Sequence, residues 1–268
     1  MEYIKYIILG IIQGITEPLP ISSSGHIFLF KNLFETEIFN TLNFEIISNF
    51  GSFLAILFIF RKDIVDLIKH FFTFIFNKQK RKENKDGFMY VIKMVISTIP
   101  VGISGILFNE YLESHFTSLK FLAISFLFTA LMLYLVRNIK GEKDSFDITF
   151  KDALIIGLFQ AITIIPGISR SGTVLVACLI CKLKRDAALK YTFMLYFPVS
   201  VGTMLLKAPE LINTETSLLI PYMSGMIAAL VITFFSYKWL SNLVKKGKLW
   251  KFSIYCILLS LFILIYFR

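Results

Sequence analysis

Residues 10–26 read Gly-Ile-Ile-Gln-Gly-Ile-Thr-Glu-Pro-Leu-Pro-Ile-Ser-Ser-Ser-Gly-His, and residues 157–173 read Gly-Leu-Phe-Gln-Ala-Ile-Thr-Ile-Ile-Pro-Gly-Ile-Ser-Arg-Ser-Gly-Thr. A shift of 147 residues aligns them without a gap. Eight of the seventeen positions are then identical: Gly10 with Gly157, Gln13 with Gln160, Ile15 and Thr16 with Ile162 and Thr163, and Ile21, Ser22, Ser24 and Gly25 with Ile168, Ser169, Ser171 and Gly172. Agreement of that density marks a duplicated unit. The differences are as informative. Glu17, Ser23 and His26 stand opposite Ile164, Arg170 and Thr173, so one copy carries an acid, a hydroxyl and an imidazole while the other supplies a guanidinium. The pattern predicts two halves of one site.

Around these two stretches the 268-residue chain is 56% hydrophobic with a mean hydropathy of +0.72, which excludes an ordinary soluble domain. Apolar runs of spanning length recur at 43–60, 88–108, 120–137, 190–206, 218–236 and 250–267. Each approaches the roughly 20 residues a helix needs to cross about 30 Å of hydrocarbon. A membrane β-barrel would show short segments of alternating polarity instead. The first 26 residues do not read as a cleavable signal peptide, because Glu2, Glu17, two prolines and a serine run interrupt the apolar core.

The formal charge of +10 is concentrated in three stretches: Lys78, Lys80, Arg81, Lys82 and Lys85; Arg137, Lys140, Lys143 and Lys151; and Lys238, Lys245, Lys246, Lys248 and Lys251. The alternate connections carry Glu110, Glu113 and His115, then Lys207, Glu210 and Glu215. That asymmetry is the positive-inside rule and accounts for the basicity without nucleic acid as a partner. It predicts six full spans with the basic loops in the cytoplasm.

Two segments, 3–26 and 153–181, are apolar but interrupted by Pro18 and Pro20 in the first and by Pro166-Gly167 in the second. Proline removes a donor and clashes with the preceding turn, so neither is one straight helix. Charge at both ends of 153–181 makes it a re-entrant pair from the inside; the first pair, with its outgoing arm extending to residue 35, enters from the outside. Three spans lie between equivalent points of the copies, and an odd number inverts the second. The expected fold is an all-α polytopic membrane protein: six full transmembrane helices plus two re-entrant pairs, in two inverted repeats over 1–137 and 148–268 within one membrane domain.

Serine is a preferred N-cap, so Ser22-Ser23-Ser24-Gly25 and Ser169-Arg170-Ser171-Gly172 should each open an outgoing half-helix. Two helix N-termini meeting near the midplane make an anion site, and Arg170 adds a guanidinium fork suited to phosphate oxygens. A buried arginine needs an anion, either Glu17 or a ligand. Gln13 and Glu17 are four apart and share a helix face. His26 follows Ser23 by about one turn, so it either activates the serine as a nucleophile or acts on water while Ser23 binds phosphate. A carboxylate beside an anion site also predicts a divalent cation at Gln13 and Glu17, Mg²⁺ or Ca²⁺.

Other polar residues carry weaker signals. Residues 63–76 are amphipathic and expected to lie on the cytoplasmic interface, with His70 interfacial. His115 has no metal-spaced partners. Cys178, Cys181 and Cys256 sit in apolar sequence and read as packing residues. Glu45 lies one turn inside an apolar span, either near water or behind the site. Serine runs, single histidines and Ser-Arg-Ser are individually ordinary. Their weight comes from falling at matched positions of a repeat.

Gln13-x-x-x-Glu17, Pro20-Ile-Ser-Ser-Ser-Gly-His26, Phe44-Glu45 with Asn49-Phe50-Gly51-Ser52, and Pro166-Gly167-Ile-Ser169-Arg170-Ser171 resemble the bacterial undecaprenyl-diphosphate phosphatases of the BacA/UppP type over essentially the whole chain. The resemblance implies an enzyme of the bacterial cell (inner) membrane that hydrolyses undecaprenyl diphosphate, a polyprenyl diphosphate lipid, to undecaprenyl phosphate and phosphate. It further implies a divalent-cation requirement, a site open to the extracytoplasmic side and bacitracin resistance. Glu17 and Gln13 fill the family's first motif, Ser23 and His26 take nucleophile or base roles, and Arg170 grips phosphate, with Ser22, Ser24, Gly25, Ser169, Ser171 and Gly172 around it. The chain departs by placing Val174 where the family usually has threonine, with Thr173 one position earlier, and by placing Pro18 where an aromatic is commoner. A rival reading is a transporter or flippase for a phosphorylated polyprenyl lipid, since broken inverted repeats also serve alternating access. Whether the chain forms a homodimer is open at this stage.

Overall fold

The computed structural model describes residues 2–34, 42–115, 118–211 and 216–267. Ten helices account for most of them: α1 (Glu2–Thr16), α2 (Ser23–Phe34), α3 (Leu42–Phe76), α4 (Arg81–His115), α5 (Leu119–Leu135), α6 (Phe150–Ile162), α7 (Arg170–Ile180), α8 (Arg185–Leu211), α9 (Thr216–Lys245) and α10 (Trp250–Tyr266). Among the described residues the only β-type pairing is one isolated bridge between Lys143 and Leu183. Residues 35–41, Glu215 and Arg268 lie outside the described residues, as do the side chains of Glu110, Glu113, His115 and Glu210.

The outer surface is what a bilayer solvates. Ile103, Ile106, Leu107, Phe108, Leu205, Leu206, Phe235 and Ile265 are all exposed, whereas Gln13, His26, Ser97, Ser125, Thr129, Gln160, Thr233 and Ser260 are buried. This inside-out distribution, with several long apolar helices, is that of a multi-pass α-helical membrane protein. Helices α3, α4, α8 and α9 each have the length and composition to cross a membrane, while α1, α5, α7 and α10 are shorter apolar helices.

The two expected interruptions fall where the prolines put them. The first break occupies 17–22, between α1 and α2, and the second 163–169, between α6 and α7. Proline alone does not break every helix here: Pro100, Pro198 and Pro221 sit inside α4, α8 and α9. What distinguishes the breaks is proline followed by a capping serine, which offers the chain a new helix start.

The surface-helix reading of 63–76 needs correction. These residues continue α3 without interruption, so α3 and α4, of 35 residues each, run about 52 Å at 1.5 Å per residue. Their shared extension is zipped by Phe74 stacked on Phe88 at 4.1 Å and by His70 Nδ1 2.7 Å from Asn84 Oδ1. The amphipathic face is thus spent on a hairpin partner. The first basic stretch is correspondingly no open loop: only Asn77–Lys80 turns, and Arg81, Lys82 and Lys85 belong to α4.

Packing brings the two breaks together, while α1 and α6 each keep an exposed apolar face. Helix α1 lies against α9, and α6 lies against α4; α5 packs on α10, and α3 and α8 each touch α4, α9 and one another. The α1–α9 crossing is close enough that a Cβ at Gly10 would overlap the Gly225 carbonyl, and one at Gly14 would come within 2.8 Å of the Ala229 oxygen. Small residues at such crossings let backbones approach in a lipid environment that offers little hydrophobic drive. The main core cluster joins Leu19, Ile21 and Leu29 from the first broken pair to Val174–Leu179 from the second.

Candidate functional site

The helix after each break opens within the serine stretch that the sequence nominates. Ser169 Oγ accepts the Gly172 N–H at 3.1 Å, and Ser22 Oγ accepts the Gly25 N–H at 3.2 Å. Ser23 and Arg170 therefore occupy the same place, the first residue of α2 and of α7 respectively. The two starts are stitched together: Ser171 Oγ donates to the Leu19 carbonyl at 3.0 Å, and a Cβ on Gly172 would sit 3.1 Å from the Pro20 Cβ. Thr129 of α5 steadies the second break by accepting the Ser169 N–H at 3.4 Å.

Glu17 is the hub. Its Oε1 accepts from Arg170 Nη2 at 2.7 Å. Its Oε2 accepts from Gln13 Nε2 at 3.0 Å and from the Ser23 hydroxyl. Gln13 Nε2 also reaches Asn49 Oδ1 of α3 at 2.6 Å. The guanidinium lies over the Tyr196 ring of α8, 4.5 Å from its centroid, a cation–π contact that strengthens when water is excluded. A guanidinium alone at this depth would be strongly unfavourable. Paired with a carboxylate and an aromatic face it is tolerable. The Glu17 side chain is 7% exposed and that of Arg170 28%, so the cation is the more accessible partner and the acid the more buried. Ser23 is half-buried and Ser24 exposed.

His26 does not join this hub. Its Nδ1 lies 2.7 Å from the Ser22 carbonyl oxygen and its Nε2 2.7 Å from the Tyr255 hydroxyl of α10. A ring whose two nitrogens are both engaged elsewhere is not poised to take the Ser23 proton. The residue next in line to Ser23 is Glu17. The ring does lean back over the preceding turn, as helical side chains do, but there the Ser22 carbonyl meets Nδ1 while Tyr255 of α10 meets Nε2.

Glu45 pairs with Lys31 at 2.8 Å, both partly exposed, which settles it as a helix-end group rather than a support for the hub. Cys178, Cys181 and Cys256 are free and buried. The second copy's Gln160 is 1% exposed with neither amide atom hydrogen-bonded, since Ile164 stands where Gln13 has Glu17. Asn49, Tyr196, Tyr255 and Thr129 were not nominated from sequence. The repeat register holds a signal for two of them: the 147-residue shift that aligns the breaks also sets Asn49 opposite Tyr196 and Phe50 opposite Phe197.

A divalent cation can be weighed against these atoms. Among the described residues no group of three or more His, Cys, Asp or Glu side chains gathers. Gln13 Oε1 is nevertheless a buried acceptor without a hydrogen bond, four residues from the Glu17 carboxylate. Amide and carboxylate oxygens suit a hard cation that draws its remaining ligands from a phosphorylated substrate. The residues fit a cation carried largely by its ligand.

Comparison with known proteins adds a second line. The family model described as bacitracin resistance protein BacA matches residues 6–262. Undecaprenyl-diphosphatase 1 of Bacillus cereus is 42% identical over 265 residues, covering 98% of this chain and 97% of the relative. Undecaprenyl-diphosphatase of Oceanobacillus iheyensis is 42% identical over 267 residues, with 98% and 96% covered. Undecaprenyl-diphosphatase 1 of Bacillus licheniformis is 37% identical over 266 residues, with 98% and 97% covered.

Proposed function

The chain belongs to the BacA family of bacitracin resistance proteins, and from that premise we propose that it hydrolyses undecaprenyl diphosphate to undecaprenyl phosphate and phosphate in the bacterial cell membrane, returning the cell-wall carrier lipid to use. One observation carries the chemistry: Ser23 and Arg170, the first residues of the helices that follow the two breaks, converge on the single carboxylate of Glu17. That is an anion site with a nucleophile and a base built into it.

The geometry supports the following course. The terminal phosphate settles against the N–H groups at the starts of α2 and α7, with Ser22, Ser24, Gly25, Ser169, Ser171 and Gly172 shaping the cradle. Arg170 holds its non-bridging oxygens and balances the charge that grows on them in the transition state. Ser23 Oγ attacks phosphorus in line. Its proton passes to Glu17 Oε2, which already accepts that hydrogen bond, and the P–O bond to the lipid phosphate breaks, releasing undecaprenyl phosphate. Glu17 gives that proton up to the departing undecaprenyl phosphate and is a base again. Water then attacks the phosphoserine while Glu17 takes one of its protons and returns it to Ser23 Oγ, so that phosphate leaves with the serine hydroxyl restored. Gln13 and Glu17 would hold an Mg²⁺ or Ca²⁺ ion, which when bound neutralises phosphate oxygens. His26 orients rather than transfers protons.

We read the two halves, 1–137 and 148–268, as inverted repeats with six full spans and two re-entrant pairs. The pairing supports this: exchanging the halves turns α1 on α9 into α6 on α4, and α3 on α4 into α8 on α9, and both members of each exchange are observed. The midplane site would open to the extracytoplasmic side, opposite the basic connections. No comparison favours the carrier reading. Phosphate release from undecaprenyl diphosphate by the purified protein, with Mg²⁺ or Ca²⁺ and with a chelator, tests the proposal; absence of release under all three conditions would reject it.

A further inference from the structure

Ser22 is one of two non-glycine residues with positive φ among those described, at +68°. Its counterpart in the second copy, Ser169, caps its helix at an ordinary φ of −70°. Left-handed backbone disfavours a residue with a Cβ and persists where surrounding contacts hold it. The strained copy is the one that carries Ser23, and also the one that carries His26 where the other has Thr173.

His26 supplies the holding contacts. The Ser22 carbonyl accepts the His26 backbone N–H at 3.2 Å, as the Ser169 carbonyl accepts that of Thr173 at 2.9 Å. What the second copy lacks is the ring, whose Nδ1 lies 2.7 Å from the Ser22 carbonyl oxygen. A carbonyl only accepts, so Nδ1 carries the proton, and in the neutral ring Nε2 is then an acceptor. The group that meets it is the Tyr255 hydroxyl at 2.7 Å. The imidazole is 3% exposed. It stacks on the Tyr255 ring at 7° between planes and meets the Phe126 ring edge-on at 5.4 Å between centroids. Tyr255 is 41% exposed on the outer face of α10. Its hydroxyl reaches inward to the buried imidazole, a hydrogen bond that a buried polar nitrogen needs, which ties the two residues together energetically.

We propose that Tyr255 is a positioning residue for the reaction: by donating to His26 Nε2 it fixes the Nδ1–H tautomer, which locks the left-handed turn at Ser22 and aims Ser23 at Glu17. The inference rests on the phosphatase reading for its consequence, but the clamp itself is a structural claim that can be measured without turnover. The closest chemical parallel is the outer partner that orients a working imidazole, whose removal lowers activity on the order of 10–100-fold.

The test compares wild type with Tyr255→Phe, which keeps the ring and removes the hydroxyl, and Tyr255→Leu, which removes both. Side-chain ¹⁵N resonances of His26 are readable because the chain has three histidines. The alkylation rate of Ser23→Cys, with and without Tyr255→Phe, reports where residue 23 points, since the native cysteines are buried. The expected result is an Nε2 resonance displaced in Tyr255→Phe, a severalfold change in alkylation rate, and kcat lowered about tenfold at unchanged KM. An unchanged Nε2 resonance overturns the clamp whatever the activity. A displaced resonance with unaltered alkylation and kcat overturns the positioning role. If wild type releases no phosphate, the functional reading fails alone, and resonance and alkylation still decide the clamp. Should Tyr255→Leu not fold, Tyr255→Phe carries the comparison.

Discussion

Arg170 and Glu17, 153 positions apart in the chain, meet with Nη2 2.7 Å from Oε1, and the rest of the site is arranged around that contact. Losing either partner exposes the other as an uncompensated charge in a low-dielectric interior. Arg170→Ala and Glu17→Ala should each lower phosphate release by about 10² or more, the scale of a lost electrostatic group. In a double-mutant cycle the losses should be strongly non-additive, because both remove one contact. Additive losses would mean that the pair does not act as a unit.

Ser23 donates to the same carboxylate through its other oxygen, which predicts a covalent intermediate. Wild type quenched in acid during turnover of substrate labelled in the terminal phosphate should retain label on Ser23, and Ser23→Ala should retain none and fall about 10² or more in rate. Ser23→Ala turning over at the wild-type rate would return the attack to water.

The cation proposal predicts that a chelator silences the enzyme and that Mg²⁺ or Ca²⁺ restores it. Gln13→Ala removes a buried, unpaired amide oxygen, so it should raise the cation concentration needed for half-maximal rate about tenfold or more, in line with a shift near 1.4 kcal/mol in cation affinity. An unchanged cation requirement would place the ion on the substrate alone.

Two glycines test the packing. A Cβ at Gly10 would overlap the Gly225 carbonyl, whereas one at Gly102 would meet nothing within 4 Å. Gly10→Ala should destabilise by about 1–3 kcal/mol through overpacking. Gly102→Ala should be neutral or stabilise by up to about 1 kcal/mol through helix propensity. Thermal denaturation in detergent reads both, and equal shifts would contradict the α1–α9 crossing.

Topology is checked independently by single cysteines at Lys82, in the first turn of α4, and Ser118, the N-cap of α5. A membrane-impermeant reagent applied to intact cells should label the residue-118 variant and spare the residue-82 variant. Labelling of both, or the reverse, would reject the orientation drawn from the basic segments.

Much of this was legible before any coordinates, for identifiable reasons. Helix-forming apolar runs, the breaks at 17–22 and 163–169, and the serine caps are local: chain length against bilayer thickness, the missing proline donor and the N-cap hydrogen bond all act within a few residues. The repeat extended that reach, because matched breaks carrying complementary groups implied that Arg170 and Glu17 should meet. Length failed at 63–76, where an amphipathic face has two solutions, the bilayer surface or a partner helix. Phe88 and Asn84 of α4 decided it.

Sequence by itself determined the helical membrane class, the positions of the two breaks and the residues that carry charge and hydroxyl to them, since each follows from the chemistry of neighbouring residues. Only the tertiary structure decided which side chain accepts from Ser23, that Asn49 and Tyr196 complete the hub, and that His26 meets Tyr255 from 229 positions away. Those outcomes depend on which faces of α3, α8 and α10 pack inward and how each side chain rotates there, and that is a property of the whole assembly of helices.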